Sequence, residues 1–119
     1  MNKYTELSDF EINKKVAINV GGFALSLMVF DDRNGVVKKN IPNIGSRVFT
    51  EFNPCNNPAD AMTIIIENKI GMNFVNNNIG WSAIHQCIIK GELEVYGKRY
   101  YRTAMELFLL MKDAENEKV

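Results

Sequence analysis

Catalysis in this chain would have to start from very few groups. His85 is the single histidine, and Cys55 and Cys87 are the two thiols. Nucleophilic chemistry needs a thiolate or hydroxyl activated by a nearby base. In an extended segment Cys87 shares a face with His85, two residues away. A Cys55–His85 dyad would need the fold to bring the two together. Alternation sets His85 opposite Ile84, on the face expected to be solvated. Buried, reduced thiols and a surface or hydrogen-bonded histidine are the commoner uses of these residues. An enzyme acting on a small nucleotide would draw on His85 or Asp60. The adjacent carboxylates Asp31 and Asp32 fall in a turn and diverge. Two cysteines without CxxC spacing and one histidine do not complete a zinc site. Gly21-Gly22 lacks the spacing of a phosphate loop. The expectation is no catalytic set, no metal site and no cofactor, hence not an enzyme.

Binding chemistry is better supplied. Asn56-Asn57-Pro58-Ala59-Asp60 marks a helix start, with Asn57 as cap and Pro58 at the first helical position. Capping is the ordinary role of such residues; the functional alternative is that Asn56 and Asp60 meet the polar edges of a ligand or a ribose. Lys98, Arg99 and Arg102 open the last helix, the end where the dipole prefers anions. They are either solvated or hold an anionic partner together with the free amides. Tyr96, Tyr100 and Tyr101 flank them, and rings beside arginines suit a nucleobase and its phosphate. Trp81, the only tryptophan, serves either core packing or as a stacking platform. The candidate ligand-binding set is Asn56, Asn57, Asp60, Trp81, Arg99, Tyr101 and Arg102.

These residues need elements to position them. Ser8-Asp9-Phe10-Glu11 reads as a capping box, and Leu7 and Ile12 fit the hydrophobic staple around it. The helix it opens carries Ile12 and Val16 on one stripe and ends near Asn19. Residues 23–30 form an apolar strand, Asn34-Gly35 a hairpin turn and Val36-Val37 the return. A loop at 41–45 precedes a short or edge strand at 47–52. A second helix runs from Pro58 to Lys69, with Gly71 as the residue that stops it. Its three consecutive isoleucines leave a strand as the rival reading. Met72–Val75 and Gly80–Gln86 form a hairpin around Asn76-Asn77-Asn78, and Leu93–Gly97 adds a short strand or an excursion. The last helix spans Tyr100 to Asn116. Leu107 through Met111 are all apolar, broader than a small monomer needs. That breadth predicts a homo-oligomer through the C-terminal helix.

The chain thus reads as α+β: three helices packed on a mainly antiparallel sheet of about four to six short strands. Its 119 residues suit one domain, 1–119, with no repeat or linker. Hydrophobic residues at 46% and charged residues at 24% are globular composition. Fourteen basic and fourteen acidic residues cancel, so no global field draws the chain onto nucleic acid or an anionic membrane. Nucleic acid is disfavoured as a partner. No apolar run is long enough to span a bilayer, and the first residues lack the apolar core of a signal peptide.

Three blocks carry a family resemblance: Leu7-Ser8-Asp9-Phe10-Glu11-Ile12-Asn13-Lys14; Cys55 through Ala61 with Ile64 through Ile70; and Tyr101 through Met105 with Phe108 through Lys112. In that order they resemble the NinX family, small proteins of lambda-like phages and prophages. The blocks cover about half the chain and all three helices. The resemblance implies a phage accessory protein outside the virion, working in the host bacterial cytoplasm. It carries no catalytic residues over. The expected function is binding: capture of a small nucleotide-derived ligand, such as an immune signal, or alternatively inhibition of a host or defence protein through Trp81 or the last helix's leucines.

Overall fold

The computed structural model describes residues 2–20, 28–40, 49–87 and 91–116, with only the backbone of Cys87. The first helix begins at its cap. Ser8 Oγ accepts from the Glu11 amide at 3.1 Å, and Glu11 Oε1 accepts from the Ser8 amide at 3.1 Å, the reciprocal pairing of a capping box. Helix α1 spans Asp9–Val20 and buries Ile12, Asn13, Val16 and Ala17.

Strands β1 (Met28–Asp31) and β2 (Val36–Asn40) form an antiparallel hairpin. Gly35 turns it with φ +66, and the Asp31 carboxylate accepts from the Asn34 amide at 3.2 Å. Strand β3 (Phe49–Phe52) pairs with the other side of β2. The expected strand at 23–27, the glycine pair 21–22, the loop 41–45 and the start of the third strand at 47–48 lie outside the described residues, as does the Cys87 side chain.

Helix α2 spans Pro58–Glu67, capped by Asn57, whose side chain accepts from the Ala59 amide. The isoleucine run is helical: Ile64 and Ile65 are buried, and Ile66 is 64% exposed. The residue that stops the helix is Lys69, not Gly71. Lys69 takes φ 57, with Lys69 N–H donating to Ile66 and Ile70 N–H to Ile65, the paired bonds of a Schellman turn. Burial of Ile70 fixes the turn at that register, which leaves Gly71 free to open the next strand.

Strands β4 (Gly71–Asn76), β5 (Gly80–Cys87) and β6 (Gly91–Gly97) form a second antiparallel sheet in the order β4-β5-β6. The structure therefore holds two three-stranded sheets instead of one larger sheet. Between the two trios α2 packs on the last helix, and among the described residues the second trio pairs only with itself. Helix α3 (Tyr100–Asn116) is the centre of the molecule. It packs against α1, α2, β5 and β6, and every residue from Thr103 to Leu109 is buried. The apolar breadth that suggested an oligomer seam is consumed by these neighbours, Leu107 and Leu109 included.

The row of β5 that faces α3 is Trp81, Ala83 and His85, paired with Gly97, Val95 and Leu93. Ala83 and Val95 are buried, so His85 points to the helix side and not to the solvated face. It sits half-buried at the sheet's rim, with Nδ1 3.4 Å from the Lys69 carbonyl.

Candidate functional site

Three segments distant in sequence meet around Asp9. The first turn of α1 supplies Asp9, the turn before α2 supplies Asn53 and Asn56, and the start of α3 supplies Arg99, Arg102 and Glu106. Arg99 grips Asp9 with both terminal nitrogens, at 2.9 and 2.7 Å, and donates to Asn56 Oδ1. Asn56 Nδ2 donates to Asp9 at 3.1 Å. Arg102 Nη1 reaches Asp9 at 2.7 Å and Nε reaches Glu106 at 2.8 Å. Its Nη2 donates to the carbonyls of Tyr4, Thr5 and Leu7 at 3.0, 3.3 and 2.6 Å. Arg102 thus laces the N-terminal segment onto α3. Asn2 donates to Glu106 and the Tyr4 hydroxyl to Asp113, extending the same lacing.

The charges follow from these contacts. Hydrogen bonding from Arg99, above all, holds the Asp9 carboxyl well below the usual carboxylate range, with Arg102 and Asn56 adding to the effect and burial opposing it. Burial works against the Arg102 charge, but Glu106 and Asp9 outweigh it and keep the guanidinium firmly protonated. Cations at the start of α3, unfavourable for its dipole, are explained by this acceptor set. Behind the cluster, Asn13 donates to Asn53 at 2.9 Å and accepts from the Cys55 amide at 3.1 Å. Burial pushes the Cys55 thiol up to about 12, which makes it a poor nucleophile. Among the described residues no buried side-chain polar atom lacks a partner, and no cluster of His, Cys, Asp and Glu could hold a metal ion.

The predicted site residues separate into two groups, one helix cap and one loop-holding carboxylate. Asn56, Arg99 and Arg102 converge on Asp9. Trp81 and Tyr101 belong instead to an aromatic ladder of edge-to-face rings: Phe74–Trp81 at 5.3 Å, Trp81–Tyr100 at 4.8 Å and Tyr100–Tyr101 at 5.0 Å. Asn57 is the α2 cap. Asp60 accepts from the Asn53 amide at 2.9 Å and pairs with Lys39 at 3.7 Å. Asp9 and Glu106 were missed. Asp9 was visible only as an acidic first-turn residue, and nothing in local spacing couples it to residues 90 and 93 positions away.

Beside the cluster lies an open cleft of about 340 Å³. The N-terminal segment forms one wall with Thr5 and Leu7, and the end of β6 forms another with Tyr96 and Gly97. Lys98, Arg99 and Arg102 line it with Thr103 and Glu106. Arg99 keeps 48% of its side chain exposed, and Lys98 is exposed, its ammonium 3.4 Å from the Asn77 carbonyl. Arg102 is 11% exposed with its donors already engaged, so it builds the wall and leaves Lys98 and Arg99 as the accessible cations. Volume, the Thr5 hydroxyl, cations and the exposed Tyr96 ring suit a small anionic molecule with a flat group. Asn56, Asn57, Asp60, Trp81 and Tyr101 do not line this cleft.

Three helices and two antiparallel three-stranded sheets around a central C-terminal helix define an α+β protein with a cationic cleft. Residues 3–112 match the family described as Bacteriophage P22, NinX, and the chain belongs to that phage family. No curated protein and no solved structure matches it. Among the described residues, no helix is long and apolar enough to cross a membrane.

Proposed function

We propose that this phage protein is a non-enzymatic accessory protein of the host bacterial cytoplasm that captures a small, anionic, nucleotide-derived molecule, a signalling molecule of host defence being the fitting class. The observation that carries the reading is the cleft at the start of α3, where Lys98 and Arg99 present accessible positive charge beside Tyr96. A phosphate would meet the cations and the Thr5 hydroxyl; a base would lie against the tyrosine. The absence of catalysis is supported by the buried, high-pKa Cys55 and by the use of Asp60 in holding Asn53 and Lys39. Calorimetric titration with ADP-ribose derivatives and cyclic dinucleotides tests this. Saturable binding is expected for the wild type, weakened at least about tenfold by Lys98→Glu, which removes a charge-assisted contact of about 1.4 kcal/mol or more. Flat titrations of folded protein would remove the reading.

A second reading, inhibition of a host or defence protein, draws on a different surface. Ile18 and Phe30 line a shallow groove with Glu11, Lys14 and Lys15. Ile18 is 53% exposed and Phe30 36%, apolar area of the kind that anchors partners. Leu107 and Leu109 of α3 do not serve here, since they are buried. Co-purification of one host protein, lost in Ile18→Glu, would favour this reading; recovery of the chain alone would count against it.

A further inference from the structure

Among the described residues, one strand edge of the second sheet is paired with no other strand and carries no charge along its regular part. In the order β4-β5-β6 the outer strands are β4 and β6. Edges present unpaired N–H and C=O groups and are normally blunted by charge, proline or a covering element. Strand β6 carries the exposed Glu92 and Glu94, which would face the same carboxylates of a second β6. Strand β4, Gly71-Met72-Asn73-Phe74-Val75-Asn76, carries neither charge nor proline, and five of its six residues are exposed. Phe74 is 56% exposed, Val75 40%, and Ile79 at the hairpin tip 42%.

We propose that β4 is a self-association edge. It pairs antiparallel with β4 of a second copy and joins two three-stranded sheets into one of six strands. Charge selects both the edge and the occupant. The fourteen acidic and fourteen basic residues cancel, so copies do not repel one another globally. Locally an uncharged edge meets its own uncharged equivalent, whereas β6 would set acid against acid. Symmetry fits as well. A two-fold axis normal to the sheet pairs residues of the same parity, which therefore share a face. The register shift between Phe74 and Asn76 confines regular pairing to the segment before it. An axis at Asn73 puts Met72 of one copy opposite Phe74 of the other, on the side where α3 packs. Phe74 already meets Trp81 edge-on at 5.3 Å. Its exposed side gains an apolar neighbour, and the α3 helices of both copies line one face of the joined sheet. The inference does not depend on the ligand cleft.

Sedimentation equilibrium and light scattering over a hundredfold concentration range test it. The wild type is expected to move from the 13.5 kDa chain mass to twice that value. Asn73→Lys and Phe74→Lys, both at exposed positions within the pairing segment, should each raise the dissociation constant at least about tenfold, since lysine on an edge opposes pairing. Circular dichroism spectra and melting curves establish that both variants fold. Glu94→Lys on the opposite edge should leave the β4-mediated dimer unchanged. A wild type monomeric at every concentration would overturn the proposal. So would a dimer that both edge lysines leave intact, or a monomer that uses this edge only to capture a different protein.

Discussion

The Arg102 guanidinium and the Asp9 carboxylate, 93 residues apart in sequence, meet at 2.7 Å where α1 and α3 both begin. The contact joins the two ends of the chain's architecture. Through its remaining donors Arg102 holds three backbone carbonyls of the N-terminal segment and the buried Glu106. That segment is also a wall of the cationic cleft. The same side chain therefore completes the fold and shapes the site, without presenting its own charge to a ligand.

Arg102→Met should be strongly destabilising. It keeps the apolar stem but leaves Glu106, 9% exposed in its side chain, without its cation. Breaking a buried pair from one side costs about 3–5 kcal/mol. Arg102→Lys should lose about 1–3 kcal/mol, because one ammonium cannot reproduce a planar fork that spans two carboxylates and three carbonyls. Urea unfolding read by tryptophan fluorescence checks both. A lowered midpoint with an unchanged slope is expected; a Lys variant as stable as the wild type would show that charge alone matters.

Acid should release the same cluster. Asp9 has a folded pKa held below its ordinary value of 3.8, first by Arg99. A depressed carboxyl contributes stability that is fully present above the unfolded pKa and is lost as pH falls below it, towards the folded value. Stability of the wild type should therefore drop below about pH 4 more steeply than that of Asp9→Asn. At neutral pH Asp9→Asn should be the less stable protein. The two curves should converge in acid. Parallel curves across the acid range would show that Asp9 is not linked to folding.

Local signals in the sequence translated directly into structure. The Ser8–Glu11 capping box, the Asn34-Gly35 turn and the Asn57-Pro58 helix start each depend on residues within four positions of one another, so neighbouring side chains decide them. The helical Ile64–Ile66 run followed from its Asn57-Pro58 start, although β-branched residues disfavour it and the stop falls at Lys69 instead of Gly71. What was not legible is tertiary. The position of α3 at the centre is decided by what packs on it, and its apolar breadth alone reads equally as a core or an oligomer seam. The Asp9 cluster is a contact between the two ends of the chain. The face of His85 turned on which row of β5 lies under α3. Arg99 and Arg102 stand out in the sequence as cations at the wrong end of a helix, but their partner Asp9 does not. Trp81 stands out by its rarity, but its packing against Tyr100 is a tertiary contact that rarity does not reveal.

Lys69 offers a gain in stability. It holds φ 57 at the end of α2, a left-handed conformation that costs a side-chain-bearing residue about 1 kcal/mol and glycine almost nothing. Lys69→Gly should therefore raise stability by about 0.5–1 kcal/mol. Thermal unfolding checks this, with a higher midpoint expected. No change would mean that unfolded-state freedom at the new glycine cancels the relief of strain.

The approach of Gly97 on β6 to Thr103 on α3 should prove intolerant of a single methyl group. A Cβ at Gly97 would fall on Thr103 Oγ1. Thr103 is 2% exposed, and its hydroxyl donates to the Arg99 carbonyl at 2.6 Å. Neither partner has room to withdraw, since Thr103 lies in the first turns of the central helix and Gly97 pairs with Trp81 on β5. Gly97→Ala should cost about 1–3 kcal/mol by overpacking. The clash has a specific partner, so removing that partner should relieve it. Thr103→Ala alone loses a hydroxyl contact and leaves a small void. Combined with Gly97→Ala it should destabilise less than the sum of the two single changes, by about 0.5–2 kcal/mol in a double-mutant cycle. Urea denaturation of the four proteins supplies the cycle. Additive effects would mean that Gly97 is required for its backbone conformation and not for the contact with Thr103. Because Lys98 and Arg99 follow Gly97 directly into the cleft, the single variant should also displace the two accessible cations, and the double variant should restore them.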